Sequence, residues 1–164
     1  METSMVERYR RWFAYEKEMH EKVLTSLNGV DTKLHQSLSF QKAIDLLAHI
    51  LAARRMWLFR FGVLHTEPPD LFPEKATLPG LPRQLHEVQE AWSTYLERLD
   101  DTELSRVFEY QSYDGGRFRN SIEDILTQLF GHSLYHRGQI AALVRSLGGE
   151  PAVTDFVYWT REPL

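Results

Sequence analysis

Residues 121–151 read SIEDILTQLFGHSLYHRGQIAALVRSLGGEP, and the fold turns on this stretch. Ile125, Leu129, His132, His136, Ile140, Leu143 and Leu147 recur at intervals of three and four, the period of one helical face. Ser121 or Asn120 can cap the start, Glu123 and Asp124 suit the positive helix end, and Gly148-Gly149 followed by Pro151 closes it. The spacing predicts a helix over about 122–147. Its inward seam carries His132 and His136 where apolar side chains are expected. At i and i+4 the two rings share a face, one turn apart. Burying an unpartnered polar group costs roughly 1–3 kcal/mol, so such a pair needs something to satisfy it.

Working outward, three more segments show helical periodicity. Residues 39–61 carry Ile44, Leu47, Leu51 and Leu58 on one stripe, widened by Leu46, Ile50, Met56 and Trp57, with Ser39 as the expected N-cap and Gly62 as the stop. A face this broad suits a helix with two neighbours. Residues 4–27 present Met5, Tyr9, Trp12, Phe13, Met19, Val23, Leu24 and Leu27, and Asn28-Gly29 ends them with a left-handed cap. Residues 83–99 present Leu85, Val88, Trp92, Tyr95, Leu96 and Leu99. Between the second and third helices lies HTEPPDLFPEKATLPGLP, residues 65–82, with five of the seven prolines. It is long for a link between adjacent antiparallel helices, usually about 2–8 residues, so the chain is expected to cross the bundle here. In VFEYQSYDGGRFR the period changes to two and Asp114-Gly115-Gly116 signals a turn, which predicts a short β-hairpin. The tail carries Phe156, Val157, Tyr158 and Trp159 in succession and is expected to dock. The whole reads as an all-α four-helix bundle with one long crossover and a small hairpin before the last helix.

The length of 164 residues fits one domain, 1–164. A net charge of −4 leaves no basic surplus for phosphates, which argues against nucleic-acid and anionic-membrane partners. The longest apolar run, Ile140 to Val144, is far short of the roughly 18 residues of a membrane span. METSMVERYRRWF lacks the apolar stretch of a secretory signal, and with no cysteine the expected location is the reducing cytoplasm. The absence of cysteine also excludes thiolate metal sites and a cysteine nucleophile.

Any metal must then be held by His, Asp or Glu. His49, flanked by Leu46, Ala53 and Met56 near the middle of the second helix, is the natural third ligand to His132 and His136. If those helices pack side by side, the rings meet at mid-depth. Three neutral imidazoles leave a coordination position open, as catalytic sites do, and suit Zn²⁺, Ni²⁺, Co²⁺ or Fe²⁺. Hydrogen-bonded core histidines are the competing reading. A zincin protease is excluded, because Ser133 stands where that motif needs Glu. His20, on the inward side of the first helix, is a fourth ligand, a pocket wall or a rim residue; His35, His65 and His86 read as surface. Asp45 and Gln128 each precede a candidate ligand by one turn, as orienting groups or as solvated positions. Gly138 allows close helix approach or is neutral, and Arg137 is an anion clamp or a surface charge. Asp45, Glu123 and Tyr135 are candidate general bases.

These residues carry a resemblance. The string His132-x-x-x-His136-Arg137-Gly138-Gln139 resembles the signature of the DinB/YfiT-like family of metal-dependent proteins. YQSYDGGRFRNS is similar to the family's hairpin, AIDLLAHILAARRMWLFR to its second helix with the first metal histidine at His49, and TDFVYW to its tail. The resemblance implies an up-down-down-up bundle, often a homodimer, with a divalent ion, commonly Ni²⁺ or Zn²⁺, on His49, His132 and His136. It further implies, from some relatives, transfer or activation of a low-molecular-weight thiol on a small electrophilic substrate. A metal-binding stress-response protein without turnover is the alternative. The breadth of the second helix and the aromatic tail also favour a homodimer.

Overall fold

The computed structural model describes residues 3–68 and 70–163, so Pro69 of the expected crossover lies outside the described residues. Four long helices dominate: α1 (Met5–Asn28), α2 (Leu38–Arg60), α3 (Leu81–Glu97) and α5 (Ile122–Ser146). Two short ones, α4 (Asp101–Ser105) and α6 (Phe156–Thr160), a hairpin of β1 (Val107–Gln111) and β2 (Arg117–Ser121), and single 3-10 turns at Thr32–Leu34 and Leu78–Gly80 complete the elements among the described residues. The fold is all-α with a small antiparallel hairpin, as the periodicity predicts.

Local chemistry explains the starts. Ser4 accepts from the Glu7 amide, and Ser121 and Asp124 form a reciprocal capping box at α5. The α2 cap is Ser37 rather than Ser39: its hydroxyl accepts from the Phe40 amide at 3.2 Å, and the helix begins one residue earlier than periodicity places it. The ends differ too. Gly62 and Gly148 take the left-handed conformation, with φ of 77° and 72°, whereas Gly29 stays right-handed at φ −80°. In the hairpin Gly115 supplies the positive φ the turn needs, and Phe108 pairs with Asn120, Tyr110 with Phe118. The short helix α4, capped by Asp100, falls where no helix is expected from sequence.

Helix directions follow from the cross-links. The Tyr9 hydroxyl bonds Thr127 at 2.6 Å, while Arg137, ten residues further along α5, bonds Tyr15 at 3.1 Å, so α1 and α5 run parallel. His49 packs on His132 and His136 midway along α5, while Phe61, just past the end of α2, packs on Phe108, whose strand partner Asn120 precedes α5, so α2 opposes α5. Arg10 reaches the carbonyls of Leu96 and Leu99, while Gln89 reaches that of Lys17, so α3 opposes α1. The order is up-down-down-up. Helices α2 and α3 are parallel neighbours, and residues 61–80 must therefore return along the length of the bundle. The core is filled by Leu27, Phe40, Leu47, Ile50, Leu58 and Trp92 among others, all almost fully enclosed.

The tail docks through two residues three apart on its short helix. Phe156 and Trp159 pack on Tyr15, with centroids 5.0 and 5.7 Å away, and the Trp159 indole donates to Glu18 at 2.7 Å. Val157 and Tyr158 face outward. Four successive apolar residues cannot all face one neighbour on a helix, which limits the docking expected from their run. No helix among the described residues is long and apolar enough to cross a membrane.

Candidate metal centre

The antiparallel packing of α2 on α5 brings His49, His132 and His136 together. One ring nitrogen of each lies within 4.8 Å of the others. His49 is buried, and the other two are half-buried.

Hydrogen bonding fixes which nitrogens face inward. His49 Nδ1 lies 2.5 Å from the Leu71 carbonyl, so Nδ1 carries the proton and Nε2 keeps its lone pair. His136 Nδ1 lies 2.7 Å from Gln139 Oε1 and donates to it, again freeing Nε2. His132 Nε2 sits 3.0 Å from His49 Nε2, and His132 Nδ1 is buried with no partner among the described residues. Nitrogens on one tetrahedral ion lie roughly 3.3 Å apart, given bonds of about 2.0–2.1 Å. The close approach of one ring nitrogen from each histidine, with His132 Nδ1 left without a partner among the described residues, fits a divalent cation. The all-imidazole donor set fits a transition ion.

Electrostatics keep the rings ready to ligate. Burial, then the neighbouring His136, His49 and Arg54, push His132 down to about 4. His136 is also lowered, chiefly by burial, against the opposing hydrogen bond to Gln139. Both are neutral at pH 7, the state that can bind a metal.

The crossover contributes to the site. Leu71 holds His49, and Phe72 stacks on its ring at 4.7 Å although the Phe72 side chain is 73% exposed. Asp45 accepts from the Ala76 amide at 2.8 Å and from Gln41 at 2.9 Å, pinning the crossover to α2. A cavity of about 590 Å³ opens there, with His49 and His136 at its wall beside Lys42, Asp45, Leu46 and Phe72. The crossover thus lies beside the site, and Asp45 acts on the loop rather than on a ligand.

Other sequence candidates are placed differently. Gln128 and Tyr135 are exposed, and the Glu123 carbonyl serves the Tyr9 hydroxyl. Gly138 faces open space, so no close helix approach uses it. His65 and His86 are exposed, but His35 is half-buried, stacked on Phe40 and bonded to the Val30 carbonyl. His20 is not at the rim and not in the triad; it is buried beside Arg137, 3.4 Å away. Arg137 is neither surface charge nor pocket clamp. It is 2% exposed and bonded to Glu16 and Tyr15.

The deepest seam of α5 is therefore Ser133 and Arg137, one position on from each histidine. Arg54 of α2 pairs with Glu16 and donates to Ser133 at 3.1 Å, and Glu16 also pairs with Arg137 at 3.4 Å. This polar layer escaped the sequence reading. The signal that could have found it is Glu16 and His20, i and i+4 on the inward side of α1, facing a helix whose centre holds Arg54.

The curated Protein DinB of Bacillus subtilis (strain 168) is 21% identical over 129 residues, covering 74% of this chain and 75% of that protein. No solved structure gives a significant match. The family model described as DinB family matches residues 1–163, and with the fold and the histidine group in place, the chain belongs to the DinB family.

Proposed function

We propose that the chain binds one divalent transition ion, Ni²⁺ or Zn²⁺, on His49, His132 and His136, and uses it to activate a low-molecular-weight thiol toward a small electrophilic substrate. The observation that carries the reading is the convergence of three imidazole nitrogens beside a cavity of about 590 Å³ that has His49 and His136 at its wall. When bound, such an ion stabilises a coordinated thiol as thiolate near neutral pH, below the ordinary thiol value of about 8.5. The thiol comes from outside, since the chain has no cysteine. Conjugation would join the sulfur to the electrophilic carbon, with the displaced group leaving on its bonding pair and the thiol proton going to solvent. The chain's own residues orient the ligands: Leu71 fixes the His49 ring, Gln139 the His136 ring, and Phe72 with Leu46 offers an apolar wall to the acceptor.

We further propose a cytoplasmic homodimer that acts on a small molecule, without nucleic-acid or membrane partners. Exposed Leu134 and Tyr135 on α5 and Leu38 at the start of α2 offer apolar surface to a second copy. Elemental analysis of untagged protein tests the metal. A thiol and electrophile panel run on loaded, apo and His49→Ala protein tests the reaction. Metal-dependent conjugation supports it; equal rates in all three, with metal content verified, leave a metal-binding stress-response protein without turnover.

A further inference from the structure

The polar layer under the histidines has an unbalanced charge. Arg54 and Arg137 both pair with the single carboxylate of Glu16, and all three side chains are at most 5% exposed. No other carboxylate pairs with either arginine among the described residues. His20 adds no charge of either sign: burial, then the two arginines, hold its pKa well below the ordinary value and keep the ring neutral. Tyr15 and Ser133 are neutral donors and acceptors, and the Nε atoms of both arginines lack an acceptor among the described residues. One guanidinium charge is left over in the bundle interior.

That charge lies close beneath the candidate metal centre. Arg54 bonds Ser133, the residue after His132, and Arg137 is the residue after His136. Arg54 also follows His49 on α2 by five residues, about 7.5 Å along the helix axis. The layer is clamped from three helices, so its charge cannot swing out to water. A buried uncompensated cation is expensive, and it is stabilised by any anion brought near it.

Building on the metal-binding reading, we infer that the Glu16–Arg54–Arg137 layer is an electrostatic floor that selects an anionic ligand at the open coordination position of the ion. It favours small organic or inorganic anions such as thiolates and carboxylates over neutral ligands of the same size. The three histidines are neutral, so beyond the ion's own charge the bias comes from residues that touch neither ion nor ligand.

The test uses Co²⁺-loaded full-length protein and azide as the probe, with azide affinity read from the visible spectrum at constant pH and ionic strength. Folding is checked by circular dichroism and Co²⁺ stoichiometry by elemental analysis. Glu16→Gln removes the buried negative charge and should tighten azide binding about tenfold; Arg54→Met should weaken it about tenfold. The double variant Glu16→Gln/Arg54→Met restores the original surplus and should bind azide as the parent does. Arg54→Lys keeps the charge while changing the shape and should also keep the affinity. Azide affinity that is equal across the folded, Co²⁺-loaded variants overturns the floor and leaves the metal site standing. A loss in Arg54→Lys as large as in Arg54→Met assigns the effect to packing and overturns it as well. Failure of the parent chain to take up Co²⁺ overturns the metal reading itself.

Discussion

At the residue scale, three imidazoles divide the labour between binding and being held. His49 and His136 each spend Nδ1 on an oxygen acceptor, which leaves His132 as the ring with no such anchor. The double variant His132→Ala/His136→Ala should lose bound metal completely by elemental analysis, while Gln139→Ala should weaken affinity about 10–100-fold in a chelator competition. Acid should weaken the fold of the metal-free protein. His132, about 4 when folded, and His20, also lowered, have folded values below the unfolded 6.5. The unfolded chain then binds protons that the folded chain refuses, so stability is full above pH 6.5 and falls as pH drops towards 4. Urea midpoints of metal-free protein at pH 7 and pH 5 check this, and His20→Gln should flatten the drop. The histidine pair was legible because polar residues interrupted an apolar seam. Arg137 was not: its neighbours on α1 and α2 are remote in sequence, and a lone arginine beside two histidines carries no mark of its depth.

At the scale of elements, the four long helices were legible from their three-and-four spacing, and the crossover from its prolines. What escaped was decided by contacts between elements. The pair Ser37 and Ser39 both suit a cap, and only the position of the Phe40 amide chooses between them. The helix α4 has only five residues, too few to show a period. The crossover gains its shape from α2: Asp45 holds Ala76, and Leu71 is held against His49. Asp45→Ala should cost about 1.5–3 kcal/mol in urea unfolding, as for other hydrogen bonds to a charged group. It should also speed proteolytic cutting within 70–76 and lower metal affinity, because the Leu71 carbonyl then leaves the His49 ring. Ser121→Ala, which breaks the capping box of α5, should cost about 1 kcal/mol without changing metal content.

At the scale of the whole molecule, the parallel pairing of α2 with α3 accounts for the length of the crossover, and the up-down-down-up order expected from family resemblance follows here from cross-links alone. The proposed homodimer should show twice the 19.3 kDa chain mass by light scattering at micromolar concentration. A mass of one chain would discard it. The separation of the ligands along the chain has a further consequence, in time. His49 precedes His132 by 83 residues. At a synthesis rate of about 5–20 residues per second, a ribosome releases the first ligand roughly 4 to 17 s before the second. During that interval the nascent chain carries one of the three grouped histidines, with His20, His35, His65 and His86 outside the group, and the group itself is not yet assembled. On the proposed function, metal capture waits for the last long helix to leave the exit tunnel, and a ribosome stalled before residue 132 holds a chain without the assembled site.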